Sequence, residues 1–209
     1  MKERPILFSA LMVRAILGGR KTQTRRVVKP IPQMVTNKSI VTWDGDAAYL
    51  MRLFDQVGRS CPYGHPGDRL WVREATHRRP MLNLLTGEPL APEYDGGAYT
   101  ADGEDVQDSA GFDFVWWYSR KSCPSIHMPR WASRILLEIT AVRVERLHDI
   151  SEADAMKEGA EPVLVPPDGG SCPHAEGFRE LWESINGAGS WGADPWVWVV
   201  EFKRLEGGS

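Results

Sequence analysis

The stretch Gly19-Arg20-Lys21-Thr22-Gln23-Thr24-Arg25-Arg26 decides how this chain is read. It places two hydroxyl residues and four cations directly behind Gly18-Gly19, a typical helix stop. Upstream, Ile6-Leu7-Phe8 reads as a short strand, and Ala10 to Leu17 carries Leu11, Val13, Ile16 and Leu17 at helical spacing. The expected unit is a strand, a short helix and a glycine turn that delivers Arg20 to Arg26 to the surface as a basic loop, with Val27-Val28 opening a second strand. On the residues alone, a basic turn of this kind is a solvated face.

Outward from that turn, the chain alternates short strands and interruptions. Residues 30 to 60 suggest a strand near Ile40 to Trp43 and a short helix or strand near Tyr49 to Val57. Pro66-Gly67-Asp68 is a turn signal. Arg69 to Glu74 then alternates, Leu70 and Val72 on one face and Trp71 and Arg73 on the other, so Glu74 ends a strand. From about 79 to 113 the chain is rich in glycine, proline and acidic residues and lacks periodicity, which predicts a mobile acidic insertion. Phe114 to Tyr118 is expected as an aromatic strand, and Met128 to Ser133 leads into another over Ile135 to Val144. The last strand runs over Trp196 to Phe202, with Trp196 and Trp198 on one core-facing side. Helices are expected from Ser151, with Asp154 three residues on, to Gly159, and from about Gly177 to Ile185, joined by a loop over Pro162 to Gly177.

Composition narrows the function classes. The 209 residues suit one decorated domain spanning 1–209, and 42% apolar residues with nine tryptophans supply a sizeable core. No run approaches the roughly 18 apolar residues a membrane span needs. Met1-Lys-Glu-Arg-Pro5 leads into only a short apolar segment, unlike a signal peptide, so a soluble, cytoplasmic protein without a membrane partner is expected. A formal net charge of −3 argues against a whole-surface grip on nucleic acid, although Arg20 to Lys29 and Arg69 to Arg79 concentrate cations locally. Three cysteines make no disulfide framework. Each follows a serine and precedes a proline, with His65, His127 and His174 close by, but the varied spacing and the lack of a Cys-x-x-Cys pair favour incidental thiols over zinc. No metal and no cofactor are expected.

With Gly19, Lys21 and Arg26 in register, the opening stretch resembles the ASCH signature Gly-x-Lys-x-x-Glu-x-Arg, with Thr24 where that family usually has glutamate. The family's small bacterial N4-acetylcytidine amidohydrolases carry a similar Lys-Thr-x-Thr run, and the closer overall match is to longer ASCH-like proteins of bacterial prophages. The resemblance implies an α+β fold, a PUA-like mixed β-barrel with flanking short helices and a long loop insertion. It also implies a catalytic set of Lys21, Thr24 and, at the end of the Arg69 strand, Glu74.

Elementary chemistry agrees with such a set without requiring it. A threonine hydroxyl needs a base, and a lysine serves only where burial or adjacent cations lower its pKa. Glu74 would return a proton to the leaving exocyclic amine, while Arg26 or a backbone N–H at Gly19 steadies the oxyanion. The competing reading makes Glu74 a salt-bridge partner of Arg73, Arg25 or Lys21. Trp71, His127 and Arg130 are candidate ligand contacts, since aromatic faces and guanidinium planes stack on bases. Two functions therefore compete, an amidohydrolase acting on an N-acylated nucleoside or nucleobase and a non-catalytic module binding a modified base or short RNA, with an ASCH-type ribonuclease a third. The oligomeric state is left open.

Overall fold

The computed structural model describes residues 1–35, 40–108, 110–164 and 173–205. In chain order the elements are β1 (Glu3–Leu7), α1 (Ala10–Leu17), β2 (Gln23–Val27), β3 (Gln33–Val35), β4 (Ile40–Thr42), α2 (Ala47–Gln56), β5 (Arg69–Arg73), β6 (Thr76–Arg79), β7 (Gly96–Tyr99), β8 (Ser122–Cys123), β9 (Leu136–Arg146), α3 (Glu152–Lys157), α4 (Pro173–Asn186) and β10 (Trp196–Arg204). The α+β class expected from the sequence is the class observed. The chain divides into two compact units, Met1–Gly18 with Arg69–Glu138 and Arg204–Ser209, and Gly19–Asp68 with Ile139–Lys203.

In the first unit β1 lies parallel to β5, in register Glu3 with Arg69 through Leu7 with Arg73. The start of β9 pairs antiparallel on β5, Trp71 opposite Leu136. The alternation read from the sequence is the one seen: Leu70 and Val72 are buried, while Arg69, Trp71 and Arg73 are half-buried on the other face. Helix α1 starts where Ser9 accepts the Met12 N–H, buries Met12, Val13 and Ile16, and stops before Gly19 at φ 71°, a backbone state that favours glycine. A second sheet sets β6 between β7 and β8, with Thr76 opposite both Tyr99 and Cys123.

One expectation fails in this unit. Phe114 to Tyr118 is irregular and makes only an isolated bridge, Gly96 with Val115. Its aromatics pack instead as a cluster: Phe114 and Trp117 lie against Tyr99, Val106, Met128 and Ala132. The stretch 79–113 holds β7 and the bridges Leu82 with Pro89 and Ala98 with Asp105. Turn-rich composition hid these short pairings, which have too few residues to show a period.

In the second unit β9, β10 and β2 lie side by side in that order. The β2–β10 ladder is antiparallel, Arg25 opposite Val199 and Thr24 opposite Val200. Residues 23–26, expected in the basic loop, are therefore strand, which begins four residues before the expected start at Val27. One face carries Val197 and Val199 against Leu147, Ala155, Ala160, Phe178 and Trp182, the core beneath α3 and α4. Helix α3 opens with Ser151 accepting the Asp154 N–H, as its sequence signals. The other face carries Trp196 and Trp198, both buried as expected. Trp198 packs on Phe54 of α2 at 5.4 Å between ring centroids, and Trp196 donates its indole N–H to the Trp43 carbonyl at 2.7 Å. Each tryptophan removes roughly 150–250 Å² from water, about 4–6 kcal/mol at most.

Candidate functional site

The basic turn is not a solvated face. Lys21 and Arg25 are buried, and both point to the face of the ladder that carries α3. The Lys21 ammonium donates to the Gln23 carbonyl, the Glu158 carbonyl and the Glu158 carboxylate, each at 2.8 Å. Arg25 reaches Glu158 at 3.1 Å, Glu145 at 2.9 Å and Asp154 at 3.1 Å. Arg143 ties the same carboxylates together, meeting Asp154 at 3.1 Å, Glu145 at 2.5 Å and also Glu201. Burying these cations is tolerable because each is matched by carboxylates and hydrogen bonds. Burial lowers the pKa of Lys21; Glu158 opposes the shift, while Arg26 and Arg25 reinforce it.

Strand geometry separates the members of the signature. Gln23 and Arg25 project toward α3, so Thr24 and Arg26 project to the opposite face, with their register partners Val200 and Trp198. Thr24 is buried there and Arg26 is half-buried. Lys21 contacts Glu158 on one side of the ladder, and the Thr24 hydroxyl lies on the other.

Glu74 belongs to the first unit, directly after β5, and is 1% exposed. Arg134 grips it with two parallel bonds, Nε to Oε1 and Nη2 to Oε2, both 3.0 Å. The same guanidinium holds Asp102 at 2.8 Å and lies 3.8 Å above the Tyr99 ring centre. Burial raises the Glu74 pKa against the pull of Arg134. Burial likewise drives the Tyr99 phenol up, and its hydroxyl donates to the Ala132 carbonyl at 2.9 Å. The salt bridge foreseen for Glu74 exists with a different partner: not Arg73, Arg25 or Lys21, but Arg134.

Of the candidate ligand contacts, Trp71 and Arg130 are brought together and His127 stands apart. Two guanidinium groups lie near the Trp71 ring, Arg73 at 5.3 Å and Arg130 at 5.8 Å from its centre. Arg130 is anchored by Glu3 at 3.1 Å, and its neighbour Trp131 is 48% exposed. His127 instead stacks on Tyr118 at 5.6 Å. Gly19 lies in the second unit, on the rim of a cleft with Arg20 and Thr22.

No family model matches the chain, and no curated protein matches it. Among solved structures it is similar to a high-resolution crystal structure of an ASCH domain from Lactobacillus crispatus, at 14% identity and a TM-score of 0.38, covering 97% of this chain and 79% of that one. At that score the likeness defines no shared fold.

Among the described residues no group of three or more His, Cys, Asp or Glu side chains is arranged to hold a metal, and no helix is long and apolar enough to cross a membrane. Cys61 and Cys123 are buried; Cys172 lies outside the described residues. Sequence reasoning missed Glu158, Arg134 and Asp102, the partners that determine what Lys21 and Glu74 do. Glu158 is 137 residues from Lys21, and Arg134 is 60 from Glu74. A lone charge that far along the chain carries no periodic signal.

Proposed function

We propose that the chain is an ASCH-type, PUA-like domain that recognises a nucleobase, presented as a nucleoside or within a short single-stranded RNA. One observation carries this reading: Trp71, half-buried on β5, has the guanidinium groups of Arg73 and Arg130 beside it, 5.3 and 5.8 Å from its ring centre. An aromatic ring flanked by cations on a sheet face suits a stacked base whose phosphates are neutralised alongside. The acidic overall balance limits this to a short contact. The test is fluorescence anisotropy with a labelled single-stranded oligoribonucleotide. Trp71→Ala and Arg130→Ala are each expected to weaken binding roughly fivefold or more, since a stacked base is worth about 1–3 kcal/mol. Wild-type affinity in both variants would refute it.

A second reading, hydrolysis of an N4-acylcytidine-like amide, is favoured by a different observation. Burial pushes Lys21 down and Glu74 up, the directions a general base and a general acid need. In that reaction the Thr24 oxygen attacks the acyl carbon and Lys21 accepts its proton. Glu74 protonates the departing exocyclic amine, and water then releases the acyl group from Thr24. This reading requires Lys21 to leave Glu158 and reach the opposite face of the ladder, where the Thr24 hydroxyl lies. Release of cytidine from N4-acetylcytidine, lost in Lys21→Ala, Thr24→Ala and Glu74→Ala, would establish it; an inactive folded wild type would leave base recognition alone.

A further inference from the structure

The second unit contains a cleft of about 280 Å³ lined by Gly19, Arg20, Thr22, Met156, Lys157, Ala160 and His174. Three elements converge to form it. The signature turn is fixed to the end of α3 by the Thr22 N–H donating to the Lys157 carbonyl at 2.8 Å. The first turn of α4 is fixed there by His174 Nδ1, 2.9 Å from the Ala160 carbonyl. The walls differ in character: Met156 and Ala160 are apolar, while Arg20, Lys157 and His174 bring nitrogen donors, and Gly19 leaves its side open with nothing within 4 Å of a would-be Cβ.

The state of each nitrogen can be read from its partners. A carbonyl only accepts, so His174 Nδ1 carries the proton and Nε2 is the nitrogen left over; neutral it accepts, and protonated it donates. Arg20 gives one N–H to Glu161 at 2.5 Å, out of the five a guanidinium has. Lys157 lies 3.8 Å from Asp154, an ion pair too long for a hydrogen bond. Glu152 is engaged by the backbone N–H groups of His174 and Ala175 at 2.9 and 3.0 Å. The carboxylates around the cleft therefore leave donors on all three basic side chains uncommitted by those contacts.

We propose that this cleft binds a phosphate monoester with a nucleoside-sized body, the phosphate meeting Arg20, Lys157 and His174 and the body lying on Met156 and Ala160. A monoester suits the donors: near neutral pH it carries close to two charges and, with a second pKa near 6, still has a proton for part of the time that a neutral His174 Nε2 can accept. The volume is just under the roughly 300–1,000 Å³ of small-molecule sites, which fits one nucleotide. The choice of a nucleotide rests on the base-recognition reading; the phosphate contact does not.

Calorimetric titration of the full chain with cytidine monophosphate, cytidine and inorganic phosphate tests it. The monophosphate is expected to bind at least about tenfold tighter than cytidine and than inorganic phosphate, as charge-assisted hydrogen bonds to a phosphate predict. Arg20→Ala and Lys157→Ala should each weaken it about tenfold with unchanged melting temperature, and Lys157→Arg should retain most of the affinity. Equal affinity for cytidine and its monophosphate, or wild-type binding in both alanine variants, overturns the site. Inorganic phosphate binding as tightly as the nucleotide overturns the nucleoside-sized body. Trp71→Ala separates the two proposals: it should weaken RNA binding and leave the nucleotide titration unchanged.

Discussion

Arg134 and Glu74 meet as a two-bond fork, 3.0 Å on each arm, with the carboxylate 1% exposed and Asp102 completing the other side of the guanidinium. Removing one partner of such a pair leaves the other charge buried without compensation. Arg134→Ala should therefore cost about 3 kcal/mol at neutral pH by urea unfolding, the lower end for buried pairs because the arginine side chain is 21% exposed. The pH dependence has a definite sign. A carboxyl whose folded pKa is raised contributes stability that is full below its ordinary value of 4.5 and is lost as pH rises through the raised value. Without Arg134 that value rises further, so the variant should recover part of its deficit as pH falls below neutral. A deficit constant with pH would mean that Glu74 is not the charge left stranded.

Lys21 shows the opposite arrangement. Its folded pKa is lowered from the ordinary 10.5, so the folded protein holds fewer protons than the unfolded chain between the lowered value and 10.5. Stability contributed by this group therefore rises with pH across that window and is lost as pH falls through the lowered value. Comparing wild type with Lys21→Met, which keeps the aliphatic stem, the wild type should gain on the variant as pH is raised toward 10.5. Parallel stability curves would show that the lysine titrates as it does in the unfolded chain.

How much of this was legible in the sequence depends on the reach of each signal. Local signals held: Ser151 caps the helix it precedes, Gly18-Gly19 ends α1, and the alternation at Arg69 to Arg73 assigns each side chain its face. The fate of the basic turn did not show. Arg25 and Lys21 look like surface cations until Glu158, Asp154 and Glu145 come to them from more than a hundred residues away. For the same reason Glu74 showed only that it ends a strand, and neither Arg134 nor the neighbouring Asp102 announced itself as its partner. Electrostatic pairing in a folded core is a tertiary property, and hydrophobic period does not encode it.

Gly177 offers a test of packing that sequence propensity would get wrong. It lies inside α4, where replacing glycine by alanine ordinarily gains about 1 kcal/mol. Here an added Cβ would be 1.9 Å from the Glu161 carbonyl oxygen, and that atom is backbone. The helix can approach the segment after α3 only because the side chain is absent. Gly177→Ala should lower the melting temperature by several degrees, equivalent to roughly 1–3 kcal/mol of overpacking. A more stable variant would show that the Glu161 backbone yields freely.

Salt dependence distinguishes stacking from charge at the Trp71 face. Arg130 is half-exposed and anchored by Glu3, so truncating it removes a cation without emptying the core. If Arg130 neutralises one phosphate of a bound oligoribonucleotide, Arg130→Ala should weaken binding and reduce the slope of log affinity against log salt by about 0.7, the value for one counterion on a single strand. Trp71→Ala should weaken binding with the slope unchanged, because a stacked ring releases no counterion. The two effects should add in Trp71→Ala/Arg130→Ala only in part, since the guanidinium packs over the ring at 5.8 Å and residues in contact couple. A slope reduced by the tryptophan variant as much as by the arginine variant would mean that the ring merely positions the arginine, and that the face reads phosphate rather than base.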